Sequence, residues 1–555
     1  RTHILQATHT LSSRTFYKAG FSLFEKSYES YLYEDMNDPR YVHPNAFVQQ
    51  PYSFLEGGTD NSRFERSTRT LLGKLDLTSQ INNRHQIKTG IEIRQHRVYQ
   101  RDVSLRPESE QVLNRLVFEG PFMNTVVLPE TTVYHSTYDH RPFEFSAYLQ
   151  DKMEFKSLIV NIGVRFDYFE PDGVILADES DPMIYNPIKP QNIWHDWGSD
   201  GVQGTFPPDG TEGNGIWDPG EPAVTLEERQ SYWYEKATPK WQVSPRLGVS
   251  FPITERGVIY FSYGHFMQIP RFELLYQNPD FEIGSGTGNV GVIGNADLKP
   301  EVTVSGEIGL QQQLGEDIAL NLTGYFRDIR DLAGTNADEI VVFGGASKYS
   351  KIVNSDFGSV RGIILSLTKR FTSGFSGSID YTLQSAKASN SDPEQARNAR
   401  AGGALPEVQL TPMDWDQQHT INGTMAYSGQ TWGGSLLARW GSGLPYTPRR
   451  SRDISTLLTN SQTKPSTFVV DLRAFKQLSF GFGNVILSAR IFNLFDTLNE
   501  INVFDDTGRA GYTTDLETAQ RSNPPETVNS LEEWFEIPTH WSQPRRVELG
   551  ISYEF

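Results

Sequence analysis

The chain has 555 residues, no cysteine, a formal charge of -18 and a mean hydropathy of -0.47. The absence of cysteine excludes disulfides and thiolate metal sites. The acidic balance argues against nucleic-acid binding through phosphates, and the lack of any run of about 18 apolar residues excludes a helical membrane protein.

This length would ordinarily mean several soluble domains. A barrel reaches it differently, by adding strands rather than thickening a core. Only every second residue of a spanning strand must then face lipid. An aromatic share of 12%, with 24 Tyr and 33 Phe, suits girdles at two membrane interfaces.

From the N-terminus onward, the recurring signal is period-two alternation, the mark of a strand with two unlike faces. The first strand is expected near residues 3–11 and runs into a short link at 12–14. After Ser157, Leu158, Val160, Ile162, Val164, Phe166 and Tyr168 fall on one face, opposite Asn161, Gly163, Arg165 and Asp167. Val302, Val304, Ile308 and Leu310 oppose Thr303, Ser305, Glu307 and Gln311. Ile318, Leu320, Leu322 and Phe326 then oppose Asn321, Thr323 and Arg327. In the last strand Val547, Leu549, Ile551, Tyr553 and Phe555 oppose Arg546, Glu548, Gly550, Ser552 and Glu554.

Two folds give such patterns. In a soluble sandwich the apolar face meets a second sheet; in a membrane barrel it meets lipid and the charged face lines a wet lumen. Connection lengths decide between them. Short links at 12–14, 82–84, 254–257, 315–317, 372–374, 428–431 and 480–483 alternate with long segments near 34–65, 105–141, 172–240, 271–301, 385–415 and 497–539. Short periplasmic turns and long extracellular loops are the habit of outer-membrane barrels. The expectation is an all-β transmembrane antiparallel barrel over 1–555 with about 17 strands. The first descends and the last ends at Phe555 on the same side, so the count is odd. Because bacterial single-chain barrels hold an even number, a late start of the chain is favoured.

Three candidate sites stand out. In the 172–240 loop, Glu212, Asn214, Gly215, Asp218 and Glu221 fit positions 3, 5, 6, 9 and 12 of a calcium loop. With Asp209 and a carbonyl near Ile216 they make a candidate calcium site. Position 1 falls on Gly210 and no helices flank the loop, so a solvated acidic loop competes. Trp194, Trp197, Trp217 and Trp233 crowd the same loop and are candidates to stack on a ligand, against the simpler reading that they pack the loop on itself. The terminal strand, with Leu549, Ile551, Tyr553 and Phe555 on one face, offers an edge for β-augmentation. The G-x-G-x-x-G at 286–291 lacks the following helix of a dinucleotide site. His265 and His419 fall at strand positions suited to the lumen or an interface. No nucleophile elbow, zincin motif or P-loop occurs, so no enzyme is expected.

Several stretches resemble TonB-dependent receptors. Ser244-Pro-Arg-Leu-Gly-Val-Ser-Phe-Pro-Ile-Thr followed by Tyr260-Phe-Ser-Tyr-Gly-His-Phe is similar to their mid-barrel hairpin. Asn295-Ala-Asp-Leu-Lys-Pro-Glu with Gly306-Glu-Ile-Gly-Leu is similar to their NP-x-L-x-PE loop and next strand, and Ala489-Arg-Ile-Phe-Asn-Leu-Phe-Asp to their NLFD strand. The matches span about 240–555, in the family's order, and within the family the Oar-like type looks nearest. The resemblance implies a 22-stranded barrel with an N-terminal plug, in which the first strand here corresponds to the sixth. Neither a plug nor a TonB box has a match. It further implies import of a ligand across the outer membrane of a Gram-negative bacterium, with outer-membrane lipid, the TonB complex reached through the plug, the barrel-assembly machinery and a surface lipoprotein as partners. The competing function is a passive or adhesive surface barrel.

Overall fold

The structure is a computed structural model that describes residues 1–46, 51–54, 57–113, 120–128, 134–180, 195, 197–208, 210–213, 218–222, 234–279, 291–336, 338–342, 347–401, 409–449, 459–481, 483–522 and 528–555. Among the described residues, seventeen long strands form one antiparallel wall. They are β1 (Thr2–Ser12), β2 (Thr15–Tyr31), β3 (Ser62–Gln80), β4 (His85–Ser104), β5 (Phe143–Glu154), β6 (Ile159–Glu170), β7 (Lys240–Thr254), β8 (Gly257–Gln268), β9 (Glu301–Leu314), β10 (Ile318–Thr335), β11 (Ser347–Thr372), β12 (Phe375–Ala388), β13 (His419–Ser428), β14 (Trp432–Gly441), β15 (Thr467–Phe480), β16 (Gly483–Phe492) and β17 (Arg546–Glu554). Each pairs with its sequence neighbour. A short strand, His135–His140, extends the β5 side of β4. Among the described residues, β1 and β17 each have one strand neighbour, and no helix is long and apolar enough to cross a membrane.

Register sorts the faces. One row runs Ile259–Leu310–Leu322–Leu365–Tyr381–Ile421–Trp440–Phe468 across eight strands. The adjacent row on the opposite face runs Gln311–Asn321–Ser366–Asp380–Asn422–Arg439. Because successive side chains of a strand alternate, a one-residue slip would exchange the two rows. Val160, Ile162, Leu320, Leu322, Leu549 and Ile551 all fall on the apolar outer face. Arg165, Asp167, Asn321, Arg327, Arg546 and Glu548 fall on the inner one. The outer face leaves Leu322, Ile363 and Ile308 at 40%, 47% and 60% exposure. A continuous apolar surface of this extent has no place in water, but is what lipid requires.

Eight short turns close one end of the wall, one of them at 155–158, which the alternation had not resolved as a link. The eight connections at the other end are longer, and two of them, 336–346 and 442–466, were not foreseen. The outer face also carries Tyr263 bonded to His265 at 2.9 Å and Tyr381 bonded to His419 at 2.9 Å. Both histidines therefore face outward and not into the lumen.

Candidate functional site

The inner face is polar along its length, and the 269–300 connection folds back onto it. Its short helix α1 (Phe272–Tyr276) lays Phe272 against the His96 ring at 5.3 Å, while Glu273 pairs with Arg66. His96 and Arg66 both belong to the inner face. Tyr276 is 3% exposed, stacks on His140 at 4.1 Å and donates its hydroxyl to the Pro171 carbonyl. Burial pushes that phenol well above its usual range, so it stays a donor.

The Asn295–Glu301 motif explains why the loop stays there. Asn295 Nδ2 donates to the Ile352 carbonyl at 2.9 Å, on β11. Ala296 and Leu298 are each 1% exposed and join a core with Val98, Phe169 and Ile352. Asp297 accepts from Lys240 Nζ at 2.6 Å and from the Thr238 amide at 2.7 Å. Burial alone would raise the Asp297 carboxyl; the Lys240 and Thr238 donors outweigh it and hold it below the ordinary range. Asn354 closes the segment by bonding both the amide and the carbonyl of Lys299 at 2.9 Å. Gly294 is needed because a Cβ there would meet the Gln277 amide nitrogen at 2.6 Å.

Nearer the short turns, the inner wall forms a concavity of about 550 Å³ lined by Lys74, Lys88, Tyr148, Arg165, Arg246 and Glu307. Arg246 lies between two glycines on its row, Gly163 and Gly264, and that bareness makes the hollow. Lys74 is 3.5 Å from Asp76, and Arg165 is 2.7 Å from Asp167. Lys88 lies over the Tyr148 ring and Arg246 over Phe266; among the described residues neither has a carboxylate within ion-pair distance. The hollow therefore holds a surplus of accessible cations, suited to polar or anionic groups. Residue spacing did not reveal it, although Lys88, Glu92, Arg94 and His96 at alternate positions were a readable sign of a wet face.

The sites expected from sequence lie only in part among the described residues. Trp197 stacks on His195 of its own loop at 4.1 Å and bridges Glu212. Glu212 accepts the Gly204 and Phe206 amides at 2.5 Å, and Glu221 accepts the Gly198 amide at 3.1 Å and the Asp218 amide at 2.8 Å. Trp194, Trp217, Trp233, Asp209 and Asn214 lie outside the described residues. Among the described residues no three His, Asp or Glu side chains gather as metal ligands. Leu549, Ile551 and Tyr553 lie outward on β17, and Phe555 follows it, fully exposed.

The family description "TonB dependent receptor-like, beta-barrel" matches residues 1–494, and the chain belongs to this family. No curated relative matches the sequence. Among solved structures, the ferric-catecholate import receptor Fiu of E. coli K12 is similar at 16% identity and a TM-score of 0.52, over 100% of this chain and 63% of that one. FpvA of P. aeruginosa, solved with a ferric pyoverdine, is similar at 11% identity and a TM-score of 0.55, over 99% and 55%. The siderophore receptor PiuA of Acinetobacter baumannii is similar at 14% identity and a TM-score of 0.51, over 91% and 61%. At these identities the likeness is one of fold. The chain spans about three-fifths of the length of these receptors. The family and these neighbours are receptors and transporters, not enzymes.

Proposed function

We propose that this chain is the wall of a TonB-dependent importer in the outer membrane of a Gram-negative bacterium, of the Oar-like type. The observation that carries the reading is the pairing of an apolar outside with a charged inside onto which an external loop is folded. A passive pore needs a polar lumen but not a loop pinned there by Arg66 and His96 at its helix and by Lys240 at Asp297. In the reading, a ligand arriving from outside first meets the external loops and the 269–300 segment. Polar groups then pass the hollow around Lys88 and Arg246. Energy comes from the TonB complex through a plug, which accords with the greater length of the solved receptors. The neighbours' ligands include ferric catecholates and a ferric pyoverdine; the acidic loops here favour a ligand that is not strongly anionic, or one whose charge calcium bound at 209–221 offsets.

Growth under scarcity tests this. A strain lacking the protein and a strain lacking TonB are grown with limiting iron, copper, cobalamin or single glycans. The same deficit in both strains on one nutrient is the expected result. A defect in surface attachment that ignores TonB would instead support a passive or adhesive barrel.

A further inference from the structure

The outer face has a groove of its own. Along one outward row, Phe261, Ile308, Gly324, Ile363 and Leu383 are neighbours on five strands. Gly324 leaves a gap in this row: a Cβ there would meet nothing nearer than the Ile308 methyl at 3.9 Å. On the next row Phe326 lies across Gly306, and its other neighbour is Arg361. The result is a trench of about 670 Å³ with apolar walls and Arg361 at one end. Ser385 is on the same row as Arg361, and Lys387 is its diagonal neighbour on β12, with Ser359 opposite. Diagonal positions lie within about 8 Å, in reach of long side chains.

Arg361 and Lys387 are exposed on the outer face, and among the described residues neither has a carboxylate within ion-pair distance. Asp328 is diagonal to Arg361 on the β10 side but makes no ion pair with it. Two other outward arginines are neutralised by protein: Arg69 is 3.3 Å from Glu25, and Arg97 is 2.6 Å from Asp139. Arg361 lies eleven residues from the end of β11 at the short-turn side. At about 3.3 Å per residue and a tilt near 40°, that is about 28 Å up, the upper border of an apolar band about 25 Å tall. A guanidinium at this border is placed to meet lipid phosphate.

We infer that the trench binds an anionic lipid of the outer leaflet, one acyl chain over Gly324 and a phosphate on Arg361 and Lys387. The end of the wall with the long connections faces outside, where the phosphorylated lipid is lipid A, and lipid A is the occupant assigned. This rests on the outer-membrane reading but is tested apart from it.

The full-length receptor is taken from outer membranes into neutral detergent, and native mass spectrometry follows the retention of added diphosphoryl lipid A and, separately, of phosphatidylglycerol. The wild type retains lipid A in preference. The double variant Arg361→Gln/Lys387→Gln retains it roughly 30-fold more weakly, from two cations at a phosphate surface. Gly324→Leu, which fills the trench and keeps the charges, also weakens it, whereas Arg69→Gln leaves it unchanged. Heat-modifiable mobility on gels reports that each variant is folded. Equal retention by the double variant, or phosphatidylglycerol held as tightly as lipid A, overturns the assignment. Either result leaves the receptor in the outer-membrane fraction, whereas failure of the outer-membrane reading would remove it from there.

Discussion

Leu322→Lys, set beside Asn321→Lys, separates the two faces of the wall most sharply. The two residues are adjacent in β10 and point to opposite sides. Leu322 lies five residues above the 315–317 turn. At about 3.3 Å per residue and a tilt near 40°, that places it about 13 Å up, half-way through an apolar band about 25 Å tall. Its row neighbours are Leu310 and Leu365. Among these, an ammonium has no partner and lies too deep to reach either interface freely. The expected cost is about 2–4 kcal/mol, the penalty for Lys at the midplane of a barrel's lipid face. Asn321 has Gln311 and Ser366 as row neighbours, with Asp380 one strand further on. A lysine there meets water and a carboxylate, and its cost should stay within about 0.5 kcal/mol. Urea unfolding in phospholipid vesicles measures both. Equal costs, or a Leu322→Lys penalty below about 1 kcal/mol, would refute the assignment of faces.

Three further outcomes concern the long connections. Asn529 takes the Phe54 amide at 2.8 Å and gives to the Tyr52 carbonyl at 3.0 Å, joining the 32–61 and 493–545 connections, while Phe54 lies 5.5 Å from Trp534. Asn529→Ala should cost about 1–3 kcal/mol of local stability and speed amide exchange at 51–54 and 528–535; unchanged exchange there contradicts the clasp. Glu500 is held below the ordinary carboxyl range first by Arg509, at 2.7 Å, and also by the Ala510 amide at 2.6 Å. A lowered folded-state value means its stabilisation is complete above the unfolded value of about 4.3 and disappears as pH falls through the folded one. Cleavage by an acid protease between 500 and 510 should therefore rise below about pH 4.3, and Arg509→Gln should flatten that profile; identical profiles would sink the linkage. If the 209–221 loop holds calcium, as its carboxylate spacing suggests, a chelator should accelerate proteolysis there, and unchanged cleavage would leave a hydrated acidic loop.

The wall was legible because its two signals are local. Alternation needs only a strand's own residues, so Leu322 and Asn321, or Leu549 and Glu548, could be sorted without knowing any partner. The short turns were visible as polar and glycine breaks, though at 155–158 Phe155 and Leu158 flank the turn and blurred it. The hollow around Arg246 was not legible, because it depends on Gly163 of β6 and Gly264 of β8 standing beside it. Register between strands that far apart in sequence is set by turn geometry and long-range pairing. The Asn295–Glu301 motif was recognisable by resemblance, but its physical task was not. Asn295, Asp297 and Lys299 find their partners at Ile352, Lys240 and Asn354, more than fifty residues away in each case. The trench on the outer face has the same origin, since Gly324 is a gap only when Ile308 and Ile363 flank it.

The absence of cysteine makes the membrane topology directly measurable. Val528 is 77% exposed in the 493–545 connection, and Glu316 lies in the 315–317 turn at the opposite end of the wall. Each is replaced singly by cysteine in the protein as expressed in its own cells, and intact cells are treated with a membrane-impermeant maleimide. Val528→Cys should label at once, and Glu316→Cys only after the outer membrane is permeabilised. Equal labelling of the two in intact cells would contradict a wall that spans the outer membrane with its long connections outside.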